Sequence, residues 1–290
     1  MTGVPIVLAT CAAWPEVSAS DARLAAALEA RGRRVTAAPW NGPFAPFAEA
    51  AAVVIRSTWD YHEAPGDYLA WLARLDAART LNPPSLVRWN LSKAHVLDLG
   101  ARGVRVPRSL EAEATPVALA GALARLGLDE AVIKPLIGGS GFGVERVRRG
   151  DEAAALGRAL AHKPTERLLV QEWLPGIERG ELAGVFFDGV FSHGLRRVPA
   201  AGEFRVNSQY GGTMEAAALE PAVVRAMTDV LAQLPTRPLY ARVDGLVHDA
   251  GFTLMEVEVN DPGLGLDLVG GAADRFADAL LARLAAPAVL

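Results

Sequence analysis

Oxygen-bearing side chains recur at a spacing of two near the C-terminal end: Glu256, Glu258 and Asn260, in Phe252-Thr-Leu-Met-Glu-Val-Glu-Val-Asn-Asp-Pro262. Side chains of an extended strand alternate between faces, so these three share one. A second apolar run, Leu239 to His248, carries Asp244 and is joined to the first by Asp249-Ala-Gly251, a turn signal for antiparallel strands. Paired, the two runs gather oxygen ligands where strand propensity predicts apolar side chains. Oxygen-only ligation suits Mg²⁺, which takes one or two carboxylates together with substrate phosphates. A solvated polar face is the alternative for the hairpin taken alone.

The cations are as unevenly used. Lysine occurs three times, at positions 93, 134 and 163, while arginine supplies the other 26 of the 29 basic residues. Lys163 reads as an ordinary helix-end residue. Asn90 can cap a helix containing Ser92, Lys93 and His95, and a lysine in that first turn opposes the positive helix end unless an anion is near. Lys134 ends the apolar strand Ala131-Val-Ile-Lys-Pro135, where an amine is desolvated unless paired. Gly138-Gly-Ser-Gly-Phe-Gly143 follows directly, and Gly138, Gly139, Ser140 and Gly141 form a loop whose amides can wrap a phosphate chain. No Gly-Lys-Ser/Thr ends it, so it is not a Walker loop. Farther on, the polar stretch from Pro199 to Thr213 lies near Arg196, Arg197 and Arg205, whose guanidinium forks suit phosphate or carboxylate.

The elements that must hold these groups read as α/β. Strands are expected at Pro5–Ala9, Val35–Ala38 and Val53–Arg56, with helices between them, the first capped by Ser20-Asp21. This is a small parallel sheet, and no Gly-x-Gly-x-x-Gly follows its first strand, which sets a nicotinamide site aside. Arg56-Ser-Thr-Trp-Asp-Tyr-His62 lies just past the third strand, where open α/β sheets bind ligands; Thr58 or Asp60 could equally cap the helix expected over 65–79. A second segment follows: a strand near Val106, a helix over Pro116–Leu126, the Lys134 strand, a helix over Glu152–Ala161 and a strand from Leu168 to Pro175. Strands at Glu181–Phe187 and Val190–Arg197 turn through Asp188-Gly189, a helix covers Glu220–Leu234, and another closes the chain from Ala272.

At 290 residues the length suits about two domains. A formal net charge of −4 gives no sign of a nucleic-acid partner. No apolar run approaches the ~18 residues of a membrane span, and residues 1–13 lack signal-peptide features. A soluble, cytoplasmic protein is the expectation. Cys11 stands alone, which excludes an internal disulfide, and the histidines form no zinc pattern. A homodimer is the base-rate expectation for assembly.

Taken in order, these motifs resemble the ATP-grasp ligases over nearly the whole chain. Gly202-Glu-Phe-Arg-Val-Asn207 with Tyr210-Gly-Gly212, and Met255-Glu-Val-Glu-Val-Asn-Asp-Pro-Gly263, are similar to the corresponding segments of the ribosomal-protein glutamate ligases and glutathione-synthetase-like enzymes. Arg56 to His62 and Trp89-Asn-Leu-Ser-Lys93 resemble the branch containing the O-ureido-D-serine cyclo-ligase. The resemblance implies a pre-grasp domain over 1–88 and two α+β subdomains over 89–170 and 171–290 that clasp ATP. It implies phosphate contacts from Lys93 and Lys134, adenine contacts along Gln171, Glu172, Trp173 and Leu174, and ribose contacts from Glu181 or Glu178. Asp244, Glu258 and Asn260 match the Mg²⁺ positions, and Arg197 and Arg205 match the γ-phosphate clamps. Asp261 matches no fixed role. Thr58, Asp60, Arg205 and Tyr210 are the candidate substrate contacts.

The activity so implied is ligation of a small amino-acid-like carboxylate to an amine-type nucleophile through an acyl-phosphate. Ring closure and intermolecular amide formation both stay open. A small-molecule kinase and a non-catalytic nucleotide-binding subunit are the alternatives, the first lacking His-Arg-Asp and Asp-Phe-Gly elements.

Overall fold

The first strand and its two neighbours are almost wholly apolar, which suits a sheet buried on both faces. The structure, a computed structural model, describes residues 3–162 and 164–286; Lys163 lies outside the described residues. The N-terminal part runs β1 (Ile6–Thr10), α1 (Ala19–Ala30), β2 (Val35–Pro39), α2 (Ala45–Ala48), β3 (Ala52–Ile55), α3 (Pro65–Arg74) and β4 (Thr80–Leu81). Its four strands are parallel in the order β2-β1-β3-β4. Next come α4 (Pro84–Leu91), α5 (His95–Ala101), β5 (Ser109–Glu113), α6 (Pro116–Leu126), β6 (Glu130–Pro135), β7 (Glu145–Arg148), α7 (Glu152–His162) and β8 (Arg167–Glu172). Strands β5-β8-β6-β7 form an antiparallel sheet packed on α6 and α7. The last part is β9 (Glu181–Phe187), β10 (Val190–Val198), β11 (Thr213–Ala217), α8 (Pro221–Ala232), β12 (Tyr240–His248), β13 (Gly251–Glu258) and α9 (Ala272–Ala285). Its strands pair antiparallel in the order β11-β10-β9-β12-β13.

The first and third sheets share one core: Ile6, Leu8, Leu24, Leu28 and Val54 pack with Val185, Phe187, Tyr240, Phe276 and Leu280. Burying a side chain of this size stabilises the fold by about 1.5–3 kcal/mol. Phe187 and Phe276 stack at 4.6 Å between centroids. The hairpin turns form as expected. Asp188 and Gly189 both take positive φ (50° and 77°), the twist that a two-residue hairpin between right-twisted strands requires.

Several expectations are corrected. Ser18, not Ser20, caps α1, its Oγ accepting the Asp21 N–H at 3.1 Å. Helix α3 stops at Arg74 because Leu75 is buried in an extended conformation. Neither Thr58 nor Asp60 caps α3, whose N-cap, Ala64, has no side-chain bond. Asn90 lies inside α4 and caps nothing; Lys93 precedes α5. No strand forms at Val106; Pro107 has no N–H to donate, and pairing starts at Ser109. The unanticipated β11 is an edge strand, its Thr213-Met-Glu-Ala-Ala showing no alternation to betray it. The expected divisions at 88/89 and 170/171 fall inside α4 and β8, so the sheets themselves end elsewhere.

Buried amides fasten the segments together. Asn82 Nδ2 donates to the carbonyls of Tyr240 and Val259, both at 2.8 Å. Asn90 Nδ2 donates to Val257 O at 2.7 Å and its Oδ1 accepts Val259 N–H at 2.9 Å, closing a side-chain ladder along the end of β13. Asn90→Ala strands that carbonyl and that amide. A loss of about 2–6 kcal/mol is expected from two unmade buried bonds at ~1–3 kcal/mol each. Urea unfolding of the variant measures it, and a midpoint equal to wild type would show that the ladder is not what holds β13.

Candidate active site

The β12–β13 register sets the site. Arg242 lies opposite Glu258 and Asp244 opposite Glu256, so all four side chains emerge on one face; a bulge next to Asp244 then shifts the pairing to Gly245 with Leu254. A cavity of about 390 Å³ opens above this face, walled by the second sheet, the 138–144 loop, the 204–214 segment, Trp59 and Tyr61.

Arg242 is the hub. Its Nε donates to Asp244 Oδ1 at 2.8 Å, and its Nη2 to Asp244 Oδ2 at 2.8 Å and Glu258 Oε1 at 2.7 Å. Arg197 Nη1, from β10, bridges Glu181 Oε1 at 2.7 Å and Asp244 Oδ2 at 2.9 Å. Lys93 Nζ is ion-paired with Glu256, and Lys134 Nζ donates to Gln171 Oε1 at 2.7 Å.

Burial and these partners set the charges. Burial alone would raise Glu256, but Lys93 and Lys134 outweigh it and hold the carboxyl well below the usual range. Burial would lower Lys93, and Glu256 reverses that. At Lys134 burial wins, with Lys93 adding repulsion, and the amine falls to about 8. Burial raises Glu258, against Arg242 and with repulsion from Glu256 and Asp244. Burial also raises Glu181.

Most of the expected residues meet here. Lys93, Lys134, Gly138, Gly139, Ser140, Gly141, Glu172, Trp173, Leu174, Glu181, Arg197, Arg205, Glu258 and Asn260 line the cavity. Gln171 lies behind the wall, its Nε2 buried without a hydrogen-bond partner. Glu178 faces out of the cavity, half-exposed, and accepts the Gly176 N–H at 3.1 Å, so of the two ribose candidates only Glu181 reaches the wall. Asp244, 1% exposed, sits under the floor. Asp60 points elsewhere, taking Trp40 Nε1 at 2.5 Å and Asn41 Nδ2 at 2.9 Å beside a separate cavity. Thr58 is buried and donates to Asp261 Oδ2 at 2.8 Å. Tyr210 supports other groups: its ring lies 3.6 Å from the Arg205 guanidinium and its hydroxyl donates to Gly141 O at 3.3 Å. Of the sequence candidates, Thr58, Asp60, Gln171, Glu178, Tyr210 and Asp244 therefore do not line the cavity.

It also passed over Arg242, Glu256 as the partner of Lys93, and Trp59, Tyr61 and Asp261 as cavity wall. The signal for Arg242 was present: an arginine two residues before Asp244 in an apolar strand must share its face.

The glycines of the loop are there for close approach. A Cβ on Gly141 would meet Asn207 Oδ1 at 2.8 Å, and one on Gly139 would meet the His62 ring at 2.6 Å. The loop is thus gripped from two sides, with the Tyr61 hydroxyl donating to Gly138 O at 3.1 Å.

The donors fit Mg²⁺. Glu258 and Asn260 line the cavity and each carries an oxygen ligand, and Glu258 is repelled by two neighbouring carboxylates, which a hard divalent cation would relieve. Asn260 Oδ1 accepts the Tyr68 hydroxyl at 2.6 Å and keeps a second lone pair.

Two antiparallel sheets thus enclose paired lysines, a glycine loop and an acidic strand end. Residues 6–82 match the family model for the N-terminal domain of D-cycloserine synthetase DcsG, and residues 124–267 that for the prokaryotic glutathione synthetase ATP-grasp domain. The cycloserine biosynthesis protein DcsG of Streptomyces lavendulae is 31% identical over 84% of this chain and 87% of its own length. A glutathione synthetase of Parasynechococcus marenigrum is 30% identical over 79% of this chain and 74% of its own. The crystal structure of D-cycloserine synthetase DcsG superposes with a TM-score of 0.84 at 26% identity, covering 97% of this chain and all of that one. D-Alanine–D-alanine ligase from Bacillus anthracis shares the fold, with a TM-score of 0.69 at 16% identity and 97% of each chain covered. The chain belongs to the ATP-grasp ligases, in the family of D-cycloserine synthetase, enzymes that use ATP and Mg²⁺.

Lys134 makes a pH prediction. Folding lowers its pKa from 10.5 to about 8, so the amine is charged below pH 8 and neutral above it. A phosphate seated there needs the ammonium. The Kd of a non-hydrolysable ATP analogue should be flat below pH 8 and rise about tenfold per unit above it. Calorimetry across pH 7–9.5 measures this, and Lys134→Met should bind weakly with no such slope.

Proposed function

We propose that this ligase activates a small amino-acid-like carboxylate as its acyl-phosphate and joins it to an amine-type nitrogen, releasing ADP and phosphate. The observation that carries the reading is the convergence of Lys93, Lys134, the 138–141 loop, Glu258 and Asn260 on one cavity. The relationship to D-cycloserine synthetase supports attack by a nitrogen of the same molecule, that is, ring closure. Intermolecular joining, as the name glutathione synthetase denotes for a relative, is the other form.

In this reading three units act, an N-terminal sheet and two antiparallel sheets that clasp the nucleotide between them. The adenine lies along Glu172-Trp-Leu174 and the ribose reaches Glu181. Lys93 and Lys134 hold the phosphate tail and the 138–143 loop folds over it. Glu258 and Asn260, with Asp244 beneath them, are the residues that would hold Mg²⁺, which would supply neutralisation of the phosphate charge. Arg197 and Arg205 steady the γ-phosphoryl as the substrate carboxylate attacks it, since a developing charge of this kind is stabilised by fixed cations rather than by a protein nucleophile. The covered cavity keeps water from the acyl-phosphate until the nitrogen displaces phosphate. Partners are small molecules. No helix among the described residues is long and apolar enough to cross a membrane. A cytoplasmic location and a homodimer complete the proposal.

The test is release of ADP and phosphate on adding amino acids and their O-substituted or ureido derivatives, with product masses. A ring-closed product contains one substrate molecule and an intermolecular product two; release of ADP without phosphate would mean a kinase. Glu258→Gln keeps an acceptor for Arg242 and should fold like wild type, yet lose turnover by about 10³-fold or more. Rates like wild type at saturating Mg²⁺ would remove Glu258 from the metal site.

A further inference from the structure

Every charged residue lining the cavity lies between positions 93 and 261; from residues 3–83 the cavity takes only Trp59 and Tyr61. What the N-terminal part gives the site is therefore shape rather than charge. Room in it is limited. One drug-sized ligand takes a pocket of about 300–1,000 Å³, and this cavity measures about 390 Å³. A nucleotide claims most of that, so a molecule that shares the cavity with it must be compact.

Both rings are held in place. Trp59 Nε1 donates to the Asp261 carbonyl at 3.3 Å, and the indole meets Trp14 edge-on at 5.9 Å between centroids. Trp14, half-exposed, lies outside the cavity on a turn closed by its own N–H to Cys11 O at 3.0 Å and by Thr10 Oγ1 to Pro15 O at 3.1 Å. The Tyr61 hydroxyl donates to Gly138 O at 3.1 Å, and its ring packs on buried Tyr68 at 5.3 Å. One ring is thus tied to the strand end that carries Glu258 and Asn260, and the other to the glycine loop. That is the phosphoryl end of the cavity, not the wall along Glu172-Trp-Leu174. Rings locked by packing and hydrogen bonds yield to a larger guest only at a cost in strain.

We propose that Trp59, with Tyr61, forms a fixed aromatic wall that limits by size what can join the nucleotide, which makes both specificity-determining residues, and that Trp14 is a positioning residue acting through Trp59. This rests on the ligase reading above and adds to it which residues set the upper size of the substrate. The substrate carboxylate faces the phosphates and the far end of the molecule lies against the rings, so a bulky substituent at that end meets the wall.

The probes are serine and O-benzylserine, each as both enantiomers, titrated by calorimetry into protein loaded with Mg²⁺ and a non-hydrolysable ATP analogue. Wild type should favour serine by about tenfold or more, the discrimination that misfit in a shaped pocket gives. Trp59→Ala should move that ratio toward O-benzylserine by about tenfold or more. If this variant loses nucleotide affinity, Trp59→Leu, also smaller than indole, carries the same expectation. Trp14→Ala removes nothing from the cavity and should move the ratio the same way by about threefold, the share of an aromatic pair. A merely structural role for Trp14 would leave the ratio alone, and that result removes it from the device. An unmoved ratio in a nucleotide-competent Trp59 variant, or wild type that binds both probes alike, overturns the wall. Wild type that binds neither probe and releases no ADP with any amino acid overturns the ligase reading instead.

Discussion

The site depends on one physical constraint: the segment from Glu256 to Pro262 is lashed to the N-terminal sheet by buried hydrogen bonds. Tyr240 Oη donates to Ile55 O at 2.7 Å and lies 2.9 Å from Asn260 O, joining the first sheet to the acidic strand end. Tyr68 holds Asn260, Thr58 holds Asp261, Arg56 holds Pro262, and Asn82 and Asn90 hold the backbone at Val257 and Val259. Each such bond adds only about 0.5–1.5 kcal/mol net, but each unmade one costs more, so the set defines one position for the strand end.

That position decides the electrostatics. Four carboxylates, Glu181, Asp244, Glu256 and Glu258, crowd one face and would repel one another if left alone. Arg197, Arg242 and Lys93 interleave with them and keep the floor near neutral. Lys134 is the exception, bonded to a neutral amide rather than to a carboxylate, which leaves its charge sensitive to burial. In the proposed function a triphosphate would supply the anionic partner that Lys134 lacks.

Elements with a strong local signal were legible. Helix α6, strands β6, β9 and β10 and the Asp188-Gly189 turn follow from capping, apolar runs and turn chemistry that depend on neighbours in sequence. Lys93, Lys134, the glycine loop, Glu258 and Asn260, which rarity and spacing single out in the sequence, line one cavity. Weak edges were not legible: β11 has no alternation, and Pro107 delays β5 where the apolar pattern alone suggests an earlier start.

The direction of side chains in loops needed the tertiary structure. Thr58-Trp-Asp-Tyr61 reads as one polar cluster, yet Trp59 and Tyr61 face the cavity while Thr58 supports Asp261 and Asp60 turns to Trp40. By itself the sequence determined that Glu256, Glu258 and Asn260 share one face, because a strand's period of two places them there whatever surrounds them, and the class of chemistry came from the resemblance of the motifs taken in order. Which cation neutralises which carboxylate and which loop residues form the wall were decided only by packing. Those outcomes turn on contacts between residues some two hundred positions apart, such as Thr58 with Asp261, which no local pattern encodes.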